Sequence, residues 1–404
     1  MKWSMEKTRY RIAHVITESE PFGGGQRNTL LTLRGLMRDG YEVELICGPG
    51  GRLIPEAEAI GVKVHVIPDL IRQVDPLKDC RAFFRLYRLF RPQDYCIVHT
   101  HSTKAGLLGR VAAWLARVPV IIHTYHGVSI EVGDNLKTRL YFACERLAGI
   151  ITDRLVCVGE VLRQEVLAWK MVPDKKSVTI YSGIDFSSYV LRRTPIEMRQ
   201  LLGLKEAWPI VGSIGRLSEQ KAQHYLIQAV ALLKEKYPQI KLLLVGEGEL
   251  RPLLEKQIRD LGLSSNVFLL GERDDIADLL NIFDVYAMSS RWEGVGRSLT
   301  EAMYWGLPIV ATAVNGVKEL ILHDETGLSV PPHNPKALAT AIDRLVSNAE
   351  LASRLKSNAQ RKASELMDGR QMIRDIEELY ERLTLSEASR EGRSLLRRPV
   401  QRSS

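Results

Sequence analysis

Short apolar runs alternate with helical stretches along most of this chain, and this alternation limits the fold more than any other feature. A first series of apolar runs extends from residues 11–16 to residues 154–158, and a second series starts at residues 210–215. Parallel strands need long crossover connections, which are usually helices, so each series predicts an α/β domain with a doubly wound parallel sheet. The predicted fold class is α/β, with two Rossmann-like domains in series.

The bounds of the predicted elements follow from the spacing of the apolar residues. The predicted strands are 11–16, 43–47, 64–67, 97–99, 120–123, 154–158, 210–215, 241–245, 267–270, 285–288 and 309–311. The predicted helices are 26–39, 79–90, 104–116, 136–152, 225–236, 250–261, 276–281, 335–347 and 371–383. We expect residues 8–188 to form the first domain and residues 189–370 the second, with an amphipathic helix at about 371–385 returning to the first. Residues 386–404 are basic, and we expect them to form a disordered tail.

The composition is that of an ordinary globular protein with a basic excess. Hydrophobic residues make up 45% and charged residues 26% of the 404 residues, and the formal net charge is +8. Five arginines and one glutamate follow Ser389. This excess suits a membrane surface, a phosphorylated acceptor or nucleic acid, and it does not choose among them.

The sequence predicts a cytoplasmic protein without cross-links. The first nine residues lack the apolar segment of a signal peptide, and no apolar stretch has membrane-spanning length. Contact with the inner face of the membrane stays open. The five cysteines include no C-x-x-C pair, which predicts buried free thiols and neither a disulfide framework nor a zinc site.

The stretch at residues 293–301 combines a glycine turn with the start of a helix. Gly294 and Gly296 let the backbone approach a ligand, and the amides of the helix suit an anion. Glu293 and Glu301 suit sugar hydroxyls, because an ionised carboxylate accepts hydrogen bonds. A phosphate flanked by two such carboxylates is what a nucleotide-sugar requires. The structural alternative is that Ser298 and Glu301 form a capping box.

Other strand-end loops carry glycines or cations, and ligands of doubly wound sheets bind at such loops. Residues 23–25 are three glycines that can hold a phosphate or form an ordinary tight turn, and they lack the spacing of a dinucleotide site. Arg216 and Lys221 bracket another loop. Two cations at this place suit a diphosphate leaving group, or they are solvated surface charges.

Histidines cluster at two predicted strand ends, within residues 99–101 and 123–126. No cysteine or acidic ligand set accompanies them, and the chain contains no Asp-x-Asp, so no metal is predicted. His126 precedes Gly127 and suits a hydrogen bond to substrate or a structural role. Residues 81–91 mix arginines with aromatic residues, which indicates either an interfacial membrane helix or a crossover helix packed on the sheet.

These motifs, in this order, resemble the family 4 glycosyltransferases, which have the GT-B fold, from about residue 11 to residue 385. The most specific match is Glu293-Gly294-Val295-Gly296 followed by Glu301, which resembles the E-x7-E motif of that family. The other matching motifs are Gly23-Gly24, His126-Gly127, Gly215-Arg216-Leu217 with Lys221, Gly306-Leu307-Pro308-Ile309-Val310 and Gly316-Val317-Lys318-Glu319-Leu320.

The resemblance implies an active site in the cleft between the domains and a role for each matched residue. Glu301 would bind the ribose hydroxyls, and Glu293 would contact the donor sugar. Arg216 and Lys221 would neutralise the departing diphosphate, and His126 would lie beside the transferred sugar. The glycine Gly24 would lie near the diphosphate and the acceptor.

The predicted catalytic residues are therefore His126, Arg216, Lys221 and Glu293. The predicted substrate-binding residues are Gly24, Gly25, Arg216, Lys221, Glu293, Gly294, Gly296, Arg297, Ser298 and Glu301. The resemblance also implies retention of the anomeric configuration, a nucleotide-diphosphate-sugar donor, and no bound metal or other cofactor. The implied acceptor is a glycan, lipid-linked or polyanionic compound, and nucleic acid is not expected as a partner.

Three positions depart from the family pattern. Ala222 follows Lys221 where glycine is usual, Ser182 replaces an asparagine, and Val295 replaces a common phenylalanine. These changes affect the shapes of loops and leave the charged groups in place. Two alternatives stay open, namely a sugar-nucleotide epimerase of the same general fold and a non-catalytic nucleotide-sugar-binding protein.

Overall fold

The computed structural model describes residues 10–17, 23–127, 136–186 and 189–391. The chain forms two compact units. The first contains the chain up to residue 158, residues 162–183 and the chain from residue 369 onward, and the second contains residues 159–161 and 184–368. Each unit is an α/β structure built on one parallel sheet, which confirms the predicted fold class of two Rossmann-like units.

The elements of the described chain are numbered in order. The strands are β1 (Arg11–Val15), β2 (Glu42–Cys47), β3 (Lys63–Val66), β4 (Ile97–His101), β5 (Val120–Tyr125), β6 (Arg154–Cys157), β7 (Ser177–Thr179), β8 (Ile210–Ile214), β9 (Lys241–Val245), β10 (Val267–Gly271), β11 (Val285–Met288), β12 (Ile309–Thr312) and β13 (Leu328–Val330). The helices are α1 (Gly24–Arg38), α2 (Leu53–Ala59), α3 (Pro76–Phe90), α4 (Thr103–Leu115), α5 (Leu136–Ile150), α6 (Glu160–Ala168), α7 (Pro195–Leu201), α8 (His224–Leu233), α9 (Arg251–Asp260), α10 (Ile276–Leu280), α11 (Arg297–Tyr304), α12 (Val317–Leu320), α13 (Pro335–Ser347), α14 (Ala349–Leu366) and α15 (Gly369–Glu391).

The first unit has seven strands in the order β3-β2-β1-β4-β5-β6-β7, and helices cover both faces of the sheet. Alternate residues of a strand point to opposite faces, so Ile12 packs in one apolar layer while Ala13 and Val15 pack in the other. Burial on both faces explains why the strands appear in the sequence as continuous apolar runs.

The last helix, α15, belongs to the first unit, where Ile373 and its apolar neighbours join the layer that contains Ile12. Helix α1 lies so close that a Cβ atom on Gly35 would fall 2.4 Å from Cδ1 of Ile373. The helix extends through Glu391, so residues 386–391 of the predicted tail are helical. The rest of that tail, residues 392–404, lies outside the described residues.

The second unit has six strands in the order β10-β9-β8-β11-β12-β13. Three of its helices, α7, α12 and α14, were not predicted. Helix α7 lies between the predicted domain boundary and the first predicted strand of the second domain, although Thr194, Pro195 and Glu197 carry the capping-box signal that marks a helix start. Helix α14 was missed because it buries a single narrow stripe in an otherwise polar sequence, at Leu351, Leu355, Ala359 and Ala363.

Two smaller expectations concern cysteines and membranes. All five cysteines are free thiols, but only Cys47 and Cys157 are buried, and Cys80 is exposed on α3, so the expected burial is wrong for the others. Among the described helices, none combines the length and the apolar character that crossing a membrane requires.

Candidate functional site

Lys221 and Glu293 form an ion pair beyond the carboxyl ends of β8 and β11, which are neighbours in the sheet. Their Nζ and Oε2 atoms are 2.6 Å apart, and the side chains are 18% and 10% exposed. The hydroxyl of Ser290 donates to the same carboxylate oxygen at 3.1 Å. The backbone N–H of Arg291 donates to the carbonyl oxygen of Gln220 at 2.8 Å, which ties the two loops together. Sequence analysis predicted both charged residues but gave no sign that they would pair.

Arg216 lies on the same loop as Lys221 and is more exposed. Its guanidinium pairs with Glu249 at 3.0 Å, and its side chain is 39% exposed. The ends of β8 and β9 approach closely here, since a Cβ atom on Gly248 would fall 2.3 Å from the carbonyl oxygen of Leu217. A glycine is therefore required at that contact, and the contact fixes the backbone that carries Arg216.

Gly296 begins α11 in the left-handed region, with φ +78°, and is the N-cap residue of the helix. The alternative of a capping box is wrong, because Ser298 lies inside the first turn, and its hydroxyl accepts a hydrogen bond from Tyr286 at 2.8 Å. The backbone of Gly294 also has a close contact, since a Cβ atom on Gly316 would fall 2.0 Å from the Gly294 carbonyl oxygen, and position 316 therefore requires glycine. The turn is thus held by close backbone contacts rather than by a side-chain cap.

Glu301 is buried on α11 and has two partners for its Oε1 atom. Arg297 Nε donates to this atom at 3.0 Å, and the hydroxyl of Tyr189 also donates to it. Burial raises the pKa of Tyr189, which keeps the hydroxyl protonated as a donor. The carboxylate is therefore held in one orientation. Tyr189 was missed, because it lies at the predicted domain boundary, outside every motif in the sequence.

The three departures from the family pattern have structural explanations. Ala222 adopts a positive φ of 48°, so the loop keeps a left-handed conformation that glycine ordinarily favours, and Lys221 still reaches Glu293. The hydroxyl of Ser182 accepts a hydrogen bond from Asn28 Nδ2 at 2.9 Å. Val295 is buried, with 8% of its surface exposed.

In the first unit, His126 follows β5 and is partly exposed. Burial lowers its pKa to about 4, so the ring is neutral near neutral pH. The predicted glycine turn is the start of α1, with Gly24 and Gly25 as the first residues of the helix. A Cβ atom on Gly25 would lie 3.8 Å from Cδ2 of His126, which is an ordinary contact. The structure therefore brings His126 beside Gly25.

A second histidine cluster lies below His126 in the same unit. Potential ligand atoms of His14, His99 and His101 lie within 4.8 Å of one another, and all three side chains are buried. Burial lowers the pKa of His14 to about 3 and lowers the pKa values of the other two well below the usual range. His14 was missed, because it lies inside β1, where register alone places it opposite His99.

Helix α3 is a crossover helix that packs on the sheet, and its basic face is exposed. Ala82, Leu86 and Phe90 are buried against the sheet. Arg88 is exposed on the outer face, and Phe84 beside it is 51% exposed.

The comparisons with known proteins cover both units. The model described as Glycosyltransferase Family 4 matches residues 22–188, and the model described as Glycosyl transferases group 1 matches residues 196–362. The UDP-Gal:alpha-D-GlcNAc-diphosphoundecaprenol alpha-1,3-galactosyltransferase of Escherichia coli is 30% identical over 350 residues, covering 85% of this chain and 90% of that protein. The capsular polysaccharide biosynthesis glycosyltransferase CapM of Staphylococcus aureus is 24% identical over 377 residues, covering 92% and 96%. The crystal structure of Anabaena Alr3699/HepE in complex with UDP-glucose has a TM-score of 0.79 and 25% identity, covering 92% of this chain and 99% of that chain.

Proposed function

This chain belongs to the family 4 glycosyltransferases, and we propose that it is a retaining enzyme whose donor is a nucleotide-diphosphate sugar. The observation that carries this proposal is the Lys221–Glu293 pair, at 2.6 Å, on two loops that leave neighbouring strands. Transfer leaves a nucleoside diphosphate with increased negative charge, and a fixed cation stabilises that charge as it develops. Lys221 supplies such a cation, and Arg216 supplies a second on the same loop.

The carboxylates divide the recognition of the donor between them. Glu301 accepts hydrogen bonds from the ribose hydroxyls, and its orientation is set in advance by Arg297 and Tyr189. Glu293 accepts hydrogen bonds from the donor sugar. Glu293 precedes the glycine turn and Glu301 lies in the second turn of α11, so a single diphosphate at the start of α11 connects the two sites.

In the first unit, we assign His126 to the transferred sugar and Gly24 and Gly25 to the approach of the diphosphate and acceptor. The glycine backbone offers no side chain that would block a ligand. The relative named for a diphosphoundecaprenol-linked acceptor supports a lipid-linked acceptor for this chain as well. No metal or other cofactor is part of the proposed reaction.

The donor assignment is tested with purified enzyme and a panel of uridine, guanosine and adenosine diphosphate sugars. We expect Lys221→Ala and Glu301→Ala to lower kcat/KM by about tenfold to a hundredfold, because a charged hydrogen bond contributes about 1.5–3 kcal/mol. The matched control is Lys236→Ala, which removes a lysine that pairs with Asp343 at the same distance, 2.6 Å, on the outside of the unit. Equal activity of all three variants would contradict the proposal.

The compounds formed during incubation distinguish this reaction from the two alternatives. Retention predicts that the anomeric proton of the product has the same configuration as that of the donor, measured by NMR during turnover. An epimerase would instead isomerise the donor without an acceptor, and a binding protein would release no nucleoside diphosphate. Activity unchanged by a chelator is expected if no metal takes part.

Peripheral membrane contact would bring the enzyme to a lipid-linked acceptor. We propose the outer face of α3 for this contact, where Arg81 and Arg88 are exposed beside Phe84. Each arginine near an anionic surface contributes about 1 kcal/mol to binding. Charge reversal of Arg81 and Arg88 should release the protein from anionic vesicles in a sedimentation assay, and unchanged sedimentation would refute this surface.

A further inference from the structure

A continuous chain of hydrogen bonds leads from His126 into the interior of the first unit. His126 Nε2 lies 3.3 Å from His101 Nδ1, and His101 Nε2 lies 3.0 Å from His14 Nδ1. His14 Nε2 lies 3.3 Å from the hydroxyl oxygen of Tyr380. The chain thus connects a predicted catalytic residue with α15, the helix that joins the first unit only after the whole second unit has been traversed.

The chain continues beyond Tyr380 to the opposite side of the cluster. The Tyr380 hydroxyl lies 2.5 Å from His99 Nδ1, and His99 Nε2 lies 2.6 Å from Thr124 Oγ1. His14, His99 and Tyr380 are each 0% exposed. Water therefore does not compete for these contacts, and each group depends on its protein partner.

The histidine rings in this chain of hydrogen bonds are neutral, so in each contact one nitrogen either donates or accepts. Burial lowers the pKa of His14 to about 3 and that of His126 to about 4, and it raises the pKa of Tyr380 well above its ordinary value. A neutral imidazole has one N–H donor and one acceptor nitrogen. Once the tautomer of one histidine is known, the tautomers of its neighbours along the chain of hydrogen bonds therefore follow.

Two arrangements satisfy every contact and also give the single proton of Tyr380 an acceptor within the network, and they differ in which histidine receives that proton. If Tyr380 donates to His99, it accepts from His14, and every histidine in the chain carries its proton on Nε2. If Tyr380 donates to His14, every histidine carries its proton on Nδ1. Hydroxyl donors give shorter contacts than N–H donors. By this criterion the two contacts of Tyr380, 2.5 Å to His99 and 3.3 Å to His14, favour the first arrangement, and the 2.6 Å contact between His99 and Thr124 favours the second. Two of the three contacts therefore support the first arrangement.

We propose that Tyr380 is a positioning residue that, through His14 and His101, holds His126 as the Nε2–H tautomer and leaves its Nδ1 atom as a hydrogen-bond acceptor. The ligand for this atom rests on the proposed function: it is a hydroxyl group of the transferred sugar, which donates to Nδ1. The chain of hydrogen bonds thereby fixes the orientation of the His126 ring and makes Nδ1 a hydrogen-bond acceptor towards the substrate.

The same geometry argues against a metal ion within the cluster. All six ring nitrogens of His14, His99 and His101 have hydrogen-bond partners. The rings of His99 and His101 are stacked, with centroids 4.5 Å apart and planes inclined by 23°. Nitrogen lone pairs lie in the plane of the ring, so nearly parallel rings do not direct them at one ion.

The proposal is tested by NMR on full-length protein labelled with ¹⁵N at its nine histidines. Two-bond ¹H–¹⁵N correlation spectra distinguish protonated from unprotonated ring nitrogens, and loss of one signal set in His126→Gln assigns that ring. We expect unprotonated Nδ1 at His126 in the wild-type protein. A protonated Nδ1 would overturn the proposal. The variant serves only to assign the signals, and the tautomer itself is measured in the wild-type protein.

Tyr380→Phe then tests the source of the tautomer. It removes the acceptor of His14 Nε2–H, so His126 should gain an Nδ1–H population, and kcat should fall about tenfold with little change in the KM for the donor. The control is Tyr95→Phe, which removes another buried hydroxyl of the same unit. That hydroxyl donates to Glu44 and is not part of the chain of hydrogen bonds that leads to His126. Wild-type tautomers in Tyr380→Phe, or the same shift in Tyr95→Phe, would refute the proposal. The spectra do not depend on turnover, so an absence of transferase activity would affect the proposed function and leave this result intact.

Discussion

Glu293→Gln should separate two roles of the Lys221–Glu293 pair, because it removes a charge and keeps the shape of the side chain. At 2.6 Å and an effective dielectric constant of about 20, the gross attraction between the charges is about 6 kcal/mol. Desolvation of two mostly buried groups opposes it, and the net coupling we expect is about 1.5–3 kcal/mol. In the ligand-free enzyme this coupling competes with any phosphate that approaches Lys221.

The variant should therefore bind a nucleoside diphosphate more tightly while it transfers sugar more slowly. Without the Glu293 carboxylate, nucleoside diphosphate binding should be about threefold to tenfold stronger. Lys221 then no longer has to give up part of its interaction with Glu293 when it contacts the phosphate. Loss of the carboxylate should lower kcat by about tenfold or more, because Glu293 no longer accepts hydrogen bonds from the sugar. Titration calorimetry measures the first effect and steady-state kinetics the second.

A double-mutant cycle with Lys221→Met measures the coupling directly, by urea unfolding of the ligand-free protein. The exposed pair of Lys236 and Asp343 is the matched control, with an expected coupling below about 1 kcal/mol. A coupling near zero for Lys221 and Glu293, or weaker nucleoside diphosphate binding in Glu293→Gln, would refute the reasoning.

Three further predictions test other parts of the structure. Gly316→Ala places a methyl group against the carbonyl oxygen of Gly294, at 2.0 Å, so it should lower the free energy of unfolding by about 1–3 kcal/mol, measured by urea denaturation. Gly25→Ala meets only an ordinary contact with His126, so thermal unfolding should be nearly unchanged, and a fall in kcat/KM would report a ligand at that backbone. Burial lowers the pKa of His14 to about 3, so the unfolded protein takes up a proton at this residue as the pH falls below about 6.5, while the folded protein does not. The free energy of unfolding should therefore be about 2 kcal/mol lower at pH 5 than at pH 7 from this residue alone. Urea unfolding curves that do not change between pH 7 and pH 5 would contradict this.

Much of the architecture follows from local patterns in the sequence. Helix-joined apolar runs predicted two parallel sheets, because burial on both faces of a strand requires continuous apolar residues. The same logic failed for α14, whose buried stripe is narrow, and at Ser298, where a short motif resembled a cap although Gly296 begins the helix. Local patterns identify candidates for an element, and they do not determine where the element begins.

By itself the sequence determined which charged and glycine residues lie at strand ends, since that requires only the order of strands and loops. Tertiary structure decided which of them meet. Lys221 and Glu293 are 72 positions apart, and His14 and Tyr380 are 366 positions apart. Such pairs depend on strand register and on the return of α15, and these are set by the packing of the whole unit rather than by any local pattern.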